Sequence, residues 1–145
     1  MVIEKAAEVS GELLLAITDL IPQLGLEKTP PTRAELAALL NSPDTSLLVA
    51  RIPDRDGEIS GILTLVIYRV PTGVRSVIED VVVNEKYRRQ GIAKSLLQRA
   101  IELAREAGAG GVSLTSNPNR KEANLLYQSA GFQLRETNIY FLSLK

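Results

Sequence analysis

The sequence predicts a single mixed, mostly antiparallel sheet flanked by helices, an α/β or α+β arrangement. Three observations carry that reading. Apolar residues recur at helical spacing early in the chain and again over residues 92–104. Three apolar runs between 46 and 83 are separated by turn residues. After residue 108 a short strand, a helix and a strand follow one another. The 145 residues suit one domain, read as 1–145, with a core that needs no metal or crosslink.

The elements follow in order. In "SGELLLAITDLIPQL" the apolar residues at 13, 14, 17, 20 and 21 line one helix face, and Pro22 and Gly25 close it. A second helix restarts near Thr32, a candidate N-cap with Glu35 as its capping-box partner, and Pro43 ends it. "SLLVARI" (46–52) and "SGILTLVIYRV" (60–70) flank "PDRDGE" and read as a hairpin. "PTG" (71–73) turns the chain into "VRSVIEDVVV" (74–83), completing an antiparallel meander. Its middle strand is nearly continuous in apolar residues, which predicts cover on both faces. The next helix runs to about Ala107, with Ile92, Ala93, Leu96, Leu97, Ala100, Ile101 and Ala104 on one face. "GAGG" stops it, and "VSLTS" (112–116) is a short strand. A last helix is capped by Asn119 with Glu122 three residues on, carries Ala123, Leu126, Tyr127 and Ala130 on one face, and ends at Gly131. "NIYFLSL" (138–144) reads as a final strand.

Composition narrows the chemistry. Lys plus Arg total 17 and Asp plus Glu total 17, so bulk attraction to nucleic acid or to a membrane is not expected. The chain has no cysteine and no histidine. Disulfides and the usual zinc ligands are missing, no metal site is expected, and schemes built on a Cys nucleophile or a His base are excluded. "MVIEKAAEVS" does not read as a signal peptide, and no apolar run reaches the length of a membrane span, so the expected location is the cytoplasm.

Against this neutral background, Lys86, Arg88, Arg89 and Lys94 crowd around Gly91, where a helix begins. The first N–H groups of a helix lack partners within it, and the macrodipole adds partial positive charge there. An anion gains both at once, and small residues such as Gly91 and Ala93 let it approach the backbone. The stretch therefore reads as a phosphate or diphosphate cradle at the end of a strand; a turn glycine among solvated arginines is the plainer alternative. The P-loop pattern fails, because Arg88 and Ala93 stand where it requires glycine. The dinucleotide fingerprint fails too, since Gly91 has no glycine two residues away.

"YRRQGIAKSLL" resembles the acetyl-CoA signature of the GCN5-related N-acetyltransferase (GNAT) superfamily, [QR]-x-x-G-x-[GA], here Arg88-x-x-Gly91-x-Ala93. "IEDVVVNEKYR" is similar to that family's fourth strand leading into the signature, and "NPNRKEANLLYQSAGF" to its later helix ending in Leu-Tyr and then Gly-Phe. The resemblance covers residues 46–144 and implies the acyl-CoA N-acyltransferase fold, with acetyl-CoA as cosubstrate and an amine as acceptor, on a small molecule or a protein.

The resemblance also implies roles. Backbone amides of Arg88, Arg89, Gln90, Gly91, Ile92 and Ala93, with Lys94 adjacent, would hold the CoA pyrophosphate. Backbone groups of Val81 and Val83 would pair with the pantetheine arm, and an amide at Val81 or its neighbour would polarise the acetyl carbonyl. Tyr127 matches the tyrosine that protonates the leaving thiolate; its alternative is a core tyrosine. Asn119 and Asn124 are candidates for contacts to the CoA arm, with Asn119 alternatively a helix cap. For the general base, strand alternation puts Glu79 on the face of Val81 and Val83 and Asp80 on the other. Either carboxylate could take the proton, pair with Arg75, or leave the task to water. The acceptor would be chosen by residues 20–32 and 134–138. An inactive acyl-CoA-binding sensor or scaffold, and a generic phosphate-binding domain, are the competing functions. A homodimer is compatible with the sequence.

Overall fold

The computed structural model describes all 145 residues. The chain forms two compact units, residues 1–115 and residues 116–145.

The first unit is built on a five-stranded sheet in the order β1 (Val2–Lys5), β2 (Thr45–Ile52), β3 (Glu58–Val70), β4 (Gly73–Val83) and β5 (Val112–Ser113). The pairs β1–β2, β2–β3 and β3–β4 are antiparallel, and β4–β5 is parallel. The predicted meander is present, with a mixed sheet around it. Three helices belong to this unit: α1 (Gly11–Leu20), α2 (Arg33–Asn41) and α3 (Ile92–Glu106). Ser10 caps α1 by accepting from the Leu13 N–H. Thr32 and Glu35 form the expected capping box on α2, with reciprocal bonds of 3.1 and 3.0 Å.

β1 was not expected from the sequence. Its four residues are too few to show a period. Pairing with β2 defines it, and the partly buried Arg51 guanidinium ties it down by reaching Glu4 at 2.7 Å, and Glu12 of α1 at 2.7 Å.

The sheet buries both faces. Leu47, Val49, Ile59, Ile62 and Val82 pack with Leu13, Ile17, Leu20 and Leu36 of α1 and α2. Alternation turns Leu48, Leu63 and Leu65 to the opposite face. α3 lies against these strands, with Ile92, Leu96, Leu97, Ala100 and Ala104 buried. The near-continuous apolar run of β3 has the predicted cause, a central strand covered on both sides.

In the second unit, α4 (Lys121–Ser129) is one residue shorter at its start than the sequence suggests. Asn119 is not its cap. The capping position falls on Arg120, with no side-chain bond, and the Asn119 N–H donates to Asn117 Oδ1 (2.8 Å) in a local Asx turn that precedes the helix. The C-terminus of α4 does follow expectation. Gly131 takes φ +100°, its N–H bonds to Gln128 O, and the Phe132 N–H bonds back to Tyr127 O at 3.0 Å, a Schellman ending. The predicted strand over 138–144 is absent: residues 132–145 have no regular structure and are largely exposed. A strand needs a partner ladder, and none forms here.

Candidate active site

The end of β4 and the start of α3 form the candidate site of the first unit. β4 is paired with β5 only at Ser76↔Val112 and Val77↔Ser113. From Ile78 to Val83 its edge away from β3 has no strand beside it. The Asn84 N–H donates to Ser60 O at 2.8 Å, so alternation turns the Val83 N–H and C=O to that open edge. There the Val83 carbonyl accepts from Arg88 Nε at 3.4 Å.

A bulge interrupts β4 in the middle of this stretch. Ile62 faces Val82 and Thr64 faces Glu79, so Leu63 alone opposes both Asp80 and Val81. Asp80 takes φ +48°, a left-handed conformation that aspartate tolerates better than most residues. The extra residue resets the faces. Glu79 and Val82 lie opposite Thr64 and Ile62, which share a face of β3, so Glu79 shares the face of Val82 and of helices α1 and α2. Val83, opposite Gly61, lies on the α3 face. The simple alternation that grouped Glu79 with Val81 and Val83 therefore fails. No residue type signals the bulge except the tolerance of Asp80 itself.

The loop into α3 is held from several sides. Asn84 accepts from the Lys86 N–H and donates to Asp19 Oδ2 (3.3 Å), and the Glu85 N–H donates to Gln23 Oε1 (3.0 Å). The Tyr87 hydroxyl donates to Glu58. The sequence reading missed these anchors, because each partner comes from a distant element. Lys86 does not serve the cradle as its position suggested. Its ammonium sits 3.4 Å from Glu58, which raises its pKa, and 5.0 Å over the Tyr87 ring. Arg88 is turned back to β4. Lys94 remains exposed at the first turn of α3.

Two left-handed residues shape the cradle, Arg89 at φ +65° and Gly91 at φ +77° and ψ +14°. Alternating φ signs turn successive N–H groups toward one side, the geometry of an anion nest. Gly91 is the N-cap of α3 and offers no side-chain acceptor, and the first helical bond runs from Ser95 N to Gly91 O at 3.0 Å. The N–H groups of the first turn are thus left to an external acceptor. A Cβ built on Gly91 meets nothing within 4 Å, so no side chain or backbone crowds Gly91 on that side. Ile92 is buried, as its place between Gly91 and Ala93 implied. It seats α3 at Gly61, where a Cβ would come within 3.1 Å of Val82 O and 3.3 Å of Ile92 Cγ2. An uncapped helix start with two left-handed residues, beside an open strand edge, is backbone geometry whose N–H groups donate to neither side chain nor ladder and so are available to an external acceptor.

In the second unit Tyr127 is buried, its ring edge-on to Phe132 with centroids 6.1 Å apart. The spacing Tyr-x-x-x-Gly-Phe therefore has a structural cause, the apolar contact that closes a Schellman ending. Burial raises the phenol pKa, while the nearby Arg120 guanidinium pulls the other way. The hydroxyl stays protonated at neutral pH, and its anion would form beside a cation. Asn124 spends its amide hydrogens on its own loop, donating to Asn117 O (3.0 Å) and Arg120 O (2.8 Å), while Asn119 is exposed.

The sequence profile of the acetyltransferase (GNAT) family matches residues 15–132. Over 95 residues the chain is 30% identical to N-acetyltransferase family 8 member 2 of Rattus norvegicus, covering 64% of this chain and 41% of that protein. It thus spans about two fifths of the relative's length. Among solved structures, an acetyltransferase of Trypanosoma brucei superposes with a TM-score of 0.77 at 25% identity, over 97% of this chain and 99% of the other. An aminoglycoside acetyltransferase from an uncultured soil metagenomic sample, in complex with trehalose, has a TM-score of 0.83 at 24% identity, over 99% and 95% of the two chains.

Proposed function

The chain belongs to the acetyltransferase (GNAT) family, and from that premise we propose that it moves an acetyl group from acetyl-CoA to a primary amine by direct attack in a ternary complex. The whole of residues 1–145 acts as one catalytic domain, since the family match runs through both compact units. The observation that carries the reading is the open β4 edge from Ile78 to Val83 leading directly to the uncapped, left-handed start of α3.

Each residue has a role in this proposal. The N–H groups of residues 88–93, with Lys94 adding charge, hold the diphosphate. The backbone of Val81 and Val83 takes the extended arm as a strand would, by hydrogen bonds at the open edge. An N–H freed from the ladder at the bulge, on Asp80 or Val81, polarises the acetyl carbonyl. Acetyl-CoA supplies the activated acetyl group. The acceptor amine forms the new C–N bond as the C–S bond breaks. Tyr127 gives its proton to the sulfur, and Arg120 steadies the phenolate. Glu79, on the α1–α2 face, receives the proton lost by the amine, directly or through water. Asn124 offers only its Oδ1 to the carrier, and Asn119 its exposed amide.

Isothermal titration with acetyl-CoA and with CoA, followed by a thiol-release screen over an amine library, tests the reading. Binding of both with release of free thiol for at least one amine is expected. Binding without release for any amine would favour the inactive sensor, and absence of binding would remove the cradle.

A further inference from the structure

We infer that Arg88 makes the site selective for a thioester whose carrier bears a diphosphate. Its guanidinium holds the Val83 carbonyl that the carrier's extended arm needs, and a diphosphate on the neighbouring nest draws it away. The inference rests on the acetyl-CoA reading above and adds a specificity-determining residue to it.

The first observation is where the Arg88 side chain is spent. Val83 ends β4 with its carbonyl turned away from β3, and Arg88 Nε donates to that oxygen at 3.4 Å. The three-residue turn Glu85–Tyr87 makes the contact possible, because it folds the chain back toward the strand it has just left. That turn is anchored on two sides. The Glu85 N–H donates to Gln23 Oε1 at 3.0 Å, and the Tyr87 hydroxyl donates to Glu58. The root of the Arg88 side chain is therefore fixed near Val83. An extended ligand pairs with an edge strand through the N–H and C=O groups of that edge. A carbonyl has a second lone pair, but a planar guanidinium on it stands in the track an arm would follow along the strand.

The second observation is what competes for the guanidinium. Only Nε is engaged, and the two terminal nitrogens make no hydrogen bond. The bond at 3.4 Å is longer than the usual N–H···O range of roughly 2.7–3.2 Å, so the hold on Val83 is weak. The nest begins at the next residue, with Arg89 at φ +65° and Gly91 at φ +77°. A diphosphate seated there brings charged oxygens in the paired spacing that an arginine fork fits. Two charges and a bidentate fit outweigh one long bond to a neutral oxygen. A carrier with a diphosphate thus gains the guanidinium and frees the carbonyl together. A thioester on a bare arm must displace Arg88 without compensation, and its affinity falls by the fraction of molecules in which the carbonyl is free. Selectivity arises from that penalty on the wrong ligand as much as from attraction to the right one.

The test uses the full chain, with S-acetylpantetheine and inorganic diphosphate as separate probes in isothermal titration. Arg88→Met keeps an unbranched stem and removes the donors. It should bind S-acetylpantetheine about 3–10-fold more tightly than the parent, and acetyl-CoA at least ~10-fold more weakly. A general loosening of the loop would weaken both. In the parent, saturating inorganic diphosphate should tighten S-acetylpantetheine several-fold, and in Arg88→Met it should have no effect. If the parent binds acetyl-CoA, equal S-acetylpantetheine affinity in parent and variant overturns the inference and leaves the acetyl-CoA reading standing. So does a parent whose S-acetylpantetheine affinity ignores diphosphate. A parent that binds neither acetyl-CoA nor inorganic diphosphate overturns the reading itself and the inference with it. Should Arg88→Met lose its fold, the coupling of the two probes in the parent decides.

Discussion

Replacing Gly91 separates what the cradle needs for folding from what it needs for binding. Gly91 sits at φ +77° and ψ +14°, and a Cβ there touches nothing within 4 Å. The cost of Gly91→Ala is therefore conformational, about 1–2 kcal/mol for a left-handed non-glycine residue. Reduced freedom of the unfolded chain returns about 0.4–1 kcal/mol. The net loss is about 1 kcal/mol, and at ~3–5 °C per kcal/mol for a chain of this size Tm should fall by a few degrees. Gly91→Asn should lose less, because asparagine is enriched in this conformation. Gly91→Glu should cost about as much stability as Gly91→Ala, since the side chain enters open space. Its acetyl-CoA affinity should nevertheless fall at least ~100-fold, because a carboxylate beside a bound diphosphate repels it by up to ~4 kcal/mol at an intermediate dielectric. Calorimetric unfolding and isothermal titration on the three variants check the series. An alanine variant as stable as the parent would show that the left-handed cap is not required. A glutamate variant that still binds acetyl-CoA would show that the anion sits elsewhere.

Other outcomes are expected from the same geometry. Tyr127→Phe keeps the ring contact with Phe132 and removes only the hydroxyl, so acetyl-CoA binding and Tm should hold while turnover falls by about 10²-fold; unchanged turnover in steady-state assays would reduce Tyr127 to helix capping. Thr32→Ala removes half of the α2 capping box and should cost about 1 kcal/mol in urea unfolding; a shift near zero would mean the start of α2 is held by other contacts. Arg51 holds the Glu12 carboxyl below its ordinary 4.5, chiefly through their hydrogen bond. A depressed carboxylate stabilises the fold above its unfolded pKa and ceases to as pH falls through the folded value. The stability gap between parent and Arg51→Met should therefore be widest near neutrality and narrow below pH ~4.5; urea midpoints at pH 7 and pH 3 with an equal gap would exclude this source.

Features set by local chemistry were legible in the sequence, and features set by distant partners were not. The α2 capping box, the buried face of α3 and the glycine ending of α4 each depend on residues within a few positions of one another, so spacing reveals them. The helix start at Gly91 was legible for the same reason: a small residue and flanking cations are neighbours in the chain. The distribution of its charge was not. Lys86 is drawn to Glu58 and Arg88 to the Val83 carbonyl, and both partners are fixed by the sheet. Asn119 had the right type and spacing for a cap, yet it lies in the turn begun by Asn117, and the helix starts one residue later with Arg120 at the capping position.

The amino-acid pattern by itself determined the order of most elements, the double cover of β3, and the start of α3 at Gly91, because periodicity and helix-end signals act over one or two turns of chain. Only the tertiary structure decided that Val2–Lys5 is a strand, that β4 bulges at Asp80–Val81 so that Glu79 turns to the α1–α2 face, and that residues 138–144 form no strand. Strand identity and strand phase belong to a pair. A backbone ladder exists only when a second segment supplies its hydrogen bonds, and one unmatched residue in that second segment reverses every face that follows.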